Sequence, residues 1–233
     1  MAMKILVACE ESQAVTKELR RLGHDAYSCD IIDQSGGHPE WHIMQDVLPL
    51  LNGDCVFTTT DGTDHEITGK WDMLIAFPPC TYMSNAGACR MYPRKGQIDS
   101  ERFAKAMEAK AFFMAFYDAD CERISIENPV PLSVVGLPEK TQVIQPYEYG
   151  HPYTKKTYLW LKGLQPLQPT NVVKPHGPYV CGNAEIWKKQ AKKGTVYGKE
   201  KSAKHRSKTF TGIAQAMAEQ WAGLAPGFED WML

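Results

Sequence analysis

The chain has 233 residues, enough for one sizeable domain and a minor lobe. With 43% hydrophobic and 23% charged residues it has the composition of a soluble globular protein, and a formal net charge of -1 favours neither nucleic acid nor membrane as a partner of the whole molecule. No apolar run approaches the roughly 18 residues of a transmembrane helix, and "MAMKILVACEE" has too short an apolar run and no small-residue cleavage site for a secretory signal.

In chain order, "KILVA" at residues 4–8 reads as a buried parallel strand. "ESQAVTKELRRLGH" follows with helical spacing: Ala14, Val15, Leu19 and Leu22 share a face and Gly23 ends it. "DAYSCDI" is a second strand closing at Asp30, so the chain begins as a β-α-β unit and implies an α/β fold with a parallel sheet. "IIDQSGGHPEWHIMQDV" is a Gly- and Pro-containing loop that returns to a short apolar piece. "CVFTTTDGTDHEIT" alternates around Asp61-Gly62 and reads as an inserted hairpin. "WDMLIAF" is a buried strand running into Pro78-Pro79-Cys80. Residues 81–98 have no clean periodicity and read as a long, mobile loop. The next segment is the strongest helix in the chain, with Ser100 as N-cap and a core stripe of Phe103, Met107, Ala111 and Met114. "ERISIENPV" and "KKTYLWLKG" are further strands. Residues 164–208 are lysine-rich with Pro and Gly, and "TFTGIAQAMAEQWAGL" closes the chain as a helix with Ile213, Met217 and Trp221 in register.

Cys9, Cys29, Cys55, Cys80, Cys89, Cys121 and Cys181 are odd in number, widely spaced and contain no C-x-x-C. That argues against a disulfide framework and against a zinc site, so no metal is expected and the compartment is read as reducing and cytoplasmic. Two strand ends carry the chemistry. Ligands of open α/β sheets sit beyond the carboxyl ends of the strands. A strand ending in Pro-Pro-Cys sets a thiol at that rim on a stiff backbone, and one ending in Glu-Asn-Pro sets a carboxylate there. A single such Cys is most often a small buried hydrophobe, and a single such Glu is usually solvated. The joint pattern pairs a nucleophile with an acid.

"AFPPCT" together with "IENP" resembles the fourth and sixth motifs of the DNA cytosine-5 methyltransferases, in particular the short cytosine-methyltransferase-like proteins of phages and prophages. "ILVACEE", "CDIID", "MQDV", "AFPPC", "IENP", "YTKKTYLWL" and the final "TGIAQAMA" come in that family's order across most of the chain. The resemblance implies a Rossmann-like S-adenosylmethionine-dependent methyltransferase sheet with a small lysine-rich recognition lobe. The expected divisions are 1–163 for catalysis, 164–204 for DNA recognition and 205–233 for a helix packing back. It implies transfer of a methyl group from S-adenosylmethionine to carbon 5 of a flipped-out cytosine in double-stranded DNA, by a monomer, in a restriction-modification or phage host-evasion setting within the (host) cytoplasm. Cys80, with a lowered pKa, would attack carbon 6, and Glu127 would hold a proton at ring nitrogen 3. Asn128 would support the backbone beside the glutamate, and Lys155 falls where the family has a base-contacting arginine. Ala8, Cys9, Glu10, Glu11, Asp30, Ile31, Asp46, Phe77, Pro79 and Gly212 would bind the cofactor: a carboxylate of Glu10 or Glu11 for its ammonium group, Asp30 for the ribose hydroxyls and Asp46 for the adenine amino group.

The chain departs from the family in three places. Its cofactor loop, "ACEESQ", has no glycine, its arginine motif has become lysine and threonine, and its last motif keeps only Gly212. These departures keep two other readings open: a pyrimidine carbon-5 modifying enzyme with a different donor or a nucleotide substrate, and a degenerate DNA-binding protein. Against the mononucleotide stands a strip of cations, Lys188, Lys189, Lys192, Lys193, Lys199, Lys201, Lys204, Arg206 and Lys208, interleaved with Trp187 and Tyr197. Ser84, Arg90 and Arg94 join Lys188, Lys189, Lys192, Lys193, Lys204 and Arg206 as expected DNA contacts. Changing Lys188, Lys189, Lys192 and Lys193 to Glu should weaken DNA binding and flatten its dependence on salt, measured as log affinity against log salt concentration; an unchanged slope would make the strip an ordinary solvated face.

Overall fold

The computed structural model describes residues 2–179 and 208–228. Its centre is a seven-stranded sheet in the order β3-β2-β1-β6-β7-β10-β8. The strands are β1 (Lys4–Ala8), β2 (Asp25–Asp30), β3 (His42–Met44), β6 (Met73–Ala76), β7 (Ile124–Pro129), β8 (Gln142–Ile144) and β10 (Thr157–Lys162). The first five spatial neighbours run parallel, while β10 is antiparallel to both β7 and β8. This is the expected α/β, Rossmann-like sheet, with one reversed strand between two that share the common direction. The hairpin lies outside it, as β4 (Cys55–Thr58) and β5 (Asp64–Ile67). Its turn is held by Asp61, which accepts from both the Thr59 and the Thr63 hydroxyls.

Period-two alternation sorts the strand residues onto two faces. Ile5, Val7, Met73 and Ile75 pack with Val15 and Leu19 of α1 (Ala14–Arg21) and with Ile213, Met217 and Trp221 of α4 (Thr211–Trp221). Leu6, Ala8, Leu74 and Ala76 point the other way, onto Ala106, Phe113 and Phe116 of α3 (Ser100–Tyr117). Each large side chain buried this way contributes about 1.5–3 kcal/mol. The stripe on α3 therefore differs from the expected one. Phe103, Met107 and Met114 flank the buried line and Ala111 is exposed, because the helix turns Phe113 and Phe116 inward. Asp99, one residue before the expected Ser100, is the N-cap and accepts from the Arg102 N–H at 2.8 Å.

Residues 81–98 are also more ordered than their composition suggests. They contain a short 3-10 turn (Asn85–Gly87) and α2 (Ala88–Met91), anchored by Met83 and Met91, which are fully buried. Of residues 164–204, the described part is stitched to the sheet and to α4. Leu167 exchanges two bonds with the Gln142 side chain, and the Trp221 indole donates to the Gln165 carbonyl. Two further short strands, β9 (Tyr153–Thr154) and β11 (Gly177–Pro178), pair with each other. No helix among the described residues is long and apolar enough to cross a membrane.

Gly212 begins α4 hard against the Tyr149 carbonyl oxygen, leaving no room for a Cβ. Gly212→Ala should lower stability by about 2–4 kcal/mol, read from chemical unfolding. A change below about 0.5 kcal/mol would show that the segment carrying Tyr149 yields freely.

Candidate active site

Cys80 and Glu127 come from neighbouring parallel strands. The register pairs Ala76 of β6 with Ile126 of β7, so the two strand ends emerge side by side. Pro78 is buried and, like Pro79, has no N–H to extend the ladder. The Asn128 side chain, fully buried, closes the gap by donating Nδ2–H to the Pro78 carbonyl at 2.9 Å. This corrects the expected role of Asn128: it supports the cysteine's strand end across the sheet and not only the backbone beside its own glutamate. Beyond the prolines the chain turns, with the Cys80 carbonyl accepting from Met83 and Ser84 N–H groups. That turn is laced to the segment after β7, Asn85 N–H to Val130 O at 2.8 Å and Leu132 N–H to Met83 O at 2.7 Å. From α3, Arg102 donates to the Thr81 carbonyl at 2.8 Å and lies over the Tyr82 ring.

Burial pushes the Cys80 thiol above its ordinary pKa, and the Glu127 charge raises it further; Lys155 and a hydrogen bond from Ser84 pull it down without reversing the shift. The expected lowered pKa is therefore corrected: burial and Glu127 outweigh Lys155 and Ser84. Ser84, expected among DNA contacts, is corrected too: it is only 6% exposed and supports the thiol from within. Glu127 is likewise raised by burial, against the opposing effects of Lys155 and Thr157. Behind it lies a small recess lined by Ile144, Lys155, Thr157, Phe210, Ile213 and Met217, with Glu127 itself in the wall. The Lys155 ammonium stands 6.0 Å from the centre of the Phe210 ring. Arg102 and Thr157 had no sequence signal of their own, since nothing in a helix start or a strand start marks a residue that will reach another strand's end.

The other predicted residues fall into two groups. Cys9, Glu11, Asp30 and Asp46 gather near the carboxyl ends of β1 and β2: burial and, less strongly, Asp30 and Asp46 raise the Cys9 thiol, and burial and, less strongly, Glu11 raise the partly buried Asp30 carboxyl. Ala8 is buried in β1, Phe77 packs against the α1 and α4 face, and Pro79 is exposed. Ile31 is 76% exposed, with Met44 and Leu48 also open to solvent. The glycine-free loop keeps a glycine-like path, since Cys9 and Gln13 have φ of 59° and 55°. Glu10 needs correcting as a ligand for an ammonium group. Both its oxygens cap α1, accepting from Val15 N–H at 2.7 Å, Thr16 N–H at 3.2 Å and the Thr16 hydroxyl at 2.7 Å. Burial holds its carboxyl up at about 7 despite these donors. An acid at the end of β2 beside exposed apolar side chains fits the ribose and base of a nucleoside-bearing cofactor. Gly212 stands elsewhere, at the start of α4, where its N–H donates to His151 Nε2 at 3.0 Å. Arg90 and Arg94 are exposed on the loop after Cys80. Lys188, Lys189, Lys192, Lys193, Lys199, Lys201, Lys204 and Arg206, with Trp187 and Tyr197, lie outside the described residues. Among the described residues no group of three or more His, Cys, Asp or Glu side chains is arranged to hold a metal.

No known family model matches the chain, and no curated protein matches it. One similar solved structure is described as a candidate DNA modification methyltransferase encoded within a prophage of E. coli, with 14% identity and a TM-score of 0.42 over 74% of this chain and 52% of that one. The chain thus spans about half the length of that structure. A likeness this loose bears on no residue of the site.

Burial raises the Cys80 thiol most, and on top of it Glu127 and Lys155 act in opposite directions. Glu127→Gln should shift the pH midpoint of Cys80 alkylation by iodoacetamide downward, and Lys155→Met should shift it upward, with Cys80→Ser as blank. Midpoints that move the other way, or not at all, would mean these charges do not act on the thiol.

Proposed function

We propose that the protein is a DNA cytosine-5 methyltransferase that uses S-adenosylmethionine. The observation that carries this is Cys80 and Glu127 at adjacent strand ends, electrostatically coupled, flanked by Lys155 and joined by the bond from Asn128 to Pro78. Cysteine is suited to adding at carbon 6 of a pyrimidine because its thiolate both attacks and leaves readily. A partly buried Glu127 with a raised pKa is suited to sharing its proton with ring nitrogen 3, so that negative charge does not build up on the ring. Carbon 5 then becomes the nucleophile. After transfer, loss of its proton and expulsion of the Cys80 thiolate release the 5-methylated base.

A cytosine stacked in a duplex exposes carbon 6 to no side chain, so the base must leave the stack. The loop after Cys80, with exposed Arg90 and Arg94, and the lysine strip offer charge for the phosphates around it. Asp30 and Ile31, with Asp46 and Glu11 nearby, would hold the donor, which supplies an electrophilic methyl group. Cys9 and Gln13 shape the adjoining turn, and Glu10 fixes the start of α1 beneath it.

Incubation of DNA with labelled S-adenosylmethionine should transfer label to cytosine, with Cys80→Ser reduced at least about 1000-fold. DNA carrying 5-fluorocytosine, which blocks the loss of the carbon-5 proton, should trap an adduct on the Cys80 peptide. Equal labelling by the mutant, or turnover on ordinary DNA with no trapped adduct, would sink this mechanism.

A further inference from the structure

Three fully buried polar side chains form a connected network beneath the end of β2. Gln13, Ser28 and His42 each have no exposed surface. The Gln13 amide grips the backbone of His38 at two points, donating to its carbonyl at 2.8 Å and accepting from its N–H at 3.1 Å. The same amide nitrogen donates to the Ser28 hydroxyl at 3.2 Å. Ser28 Oγ lies 2.9 Å from His42 Nδ1, and His42 Nε2 lies 3.0 Å from the Ile32 carbonyl. A carbonyl can only accept, so Nε2 carries a ring proton toward Ile32, and the Ser28 hydroxyl faces two partners, His42 Nδ1 at 2.9 Å and the Trp41 carbonyl, to which it donates at 3.2 Å.

Residues 30–38 are therefore held at Ile32 by His42 and at His38 by Gln13. Between these points Ser35 N–H donates to the Glu11 carbonyl at 2.8 Å and Lys208 reaches the Ser35 hydroxyl at 2.7 Å. The product of this bracing is unusual. Asp30 stands at the strand end with its carboxylate raised by burial, and Ile31 stands 76% exposed directly before the clamped Ile32 carbonyl. A buried polar network with every link made fixes one backbone conformation, which a purely apolar contact would leave free to slide.

We propose that Gln13, Ser28 and His42 are positioning residues for the methyl donor: they set the backbone that presents Asp30 to ribose hydroxyls and Ile31 to an adenine face. This rests on the proposed methyltransferase reading. None of the three has exposed surface with which to touch the donor, so they would act on its binding and not on the chemical step. The test is His42→Phe, which keeps the ring and removes both bonds, beside His42→Gln, whose amide can still donate to Ile32. Affinity for S-adenosylhomocysteine is measured by calorimetry, and kcat and KM are measured for donor and DNA. His42→Phe should weaken the homocysteine analogue and raise the donor KM about tenfold, the scale of one or two lost buried hydrogen bonds. kcat should stay within about threefold and the DNA KM should not change. His42→Gln should restore most of the loss. If His42→Phe does not fold, Ser28→Ala serves in its place, with an expected loss of about threefold in the same parameters. A folded variant with wild-type affinity, or one whose DNA KM and donor KM rise together, overturns the inference. Wild-type protein that binds neither S-adenosylmethionine nor its homocysteine analogue overturns the reading of the site and the inference with it, whereas wild-type binding with unaffected variants overturns the inference alone.

Discussion

The bond from Asn128 to the Pro78 carbonyl is the constraint on which the site depends. Parallel pairing of β6 and β7 fixes the two strand ends about 5 Å apart, but pairing alone stops where the prolines begin. Pro78 and Pro79 cannot donate, so the chain is freed from the ladder at the place where a reactive side chain must be aimed. Left alone, that freedom would also leave the Pro78 carbonyl buried without a donor, at a cost of about 1–3 kcal/mol. The asparagine side chain supplies the missing donor from the neighbouring strand. The crossing bonds of Asn85 and Leu132 then repeat the connection on the far side of the turn. Cys80 is thus held from both directions by the segment that carries Glu127.

The electrostatics follow from this closeness. Cys80 and Glu127 are both disfavoured as anions by burial, and a charge on Glu127 raises the thiol further. One anion at this rim is tolerable beside Lys155, whereas two would repel at short range. A protonated Glu127 removes the repulsion from Cys80 and is also the form that can donate to a ring nitrogen. The same protonation state therefore serves both halves of the proposed addition. Lysine supplies charge to this balance without the rigid fork of an arginine, so its part is to stabilise a single anion more than to fix the orientation of a ring.

The parts of the fold legible in the sequence were those whose signal is local. The runs Ile5–Ala8 of β1, Met73–Ala76 of β6 and Tyr158–Leu161 of β10 are apolar because both faces of the sheet are covered, and α4 shows Ile213, Met217 and Trp221 at helical spacing. The strands β3 and β8, three residues each, were too short to show a period. Residues 81–98 read as mobile because their order comes from bonds to residues far along the chain, Asn85 to Val130 and Met83 to Leu132, which leave no periodic trace. In the site, Cys80 and Glu127 were visible because each ends an apolar run beside a proline. Gln13, Ser28 and His42 were not, because a polar side chain buried in a network and one pointing to solvent look alike in a sequence.

The turn after β1 shows how such a network can replace a glycine. A tight strand-to-helix turn beside a ligand needs left-handed backbone, which glycine adopts freely and other residues adopt at a cost of about 1–3 kcal/mol. Here Cys9 and Gln13 adopt it. The compensation is local and visible: Glu10 binds three donors at the start of α1, and Gln13 makes three hydrogen bonds of its own. A glycine loop lets a ligand approach a bare backbone. A braced loop of larger residues gives up some of that access and gains a fixed shape before anything binds. Without a glycine, the conformation of this turn is therefore held by side-chain hydrogen bonds.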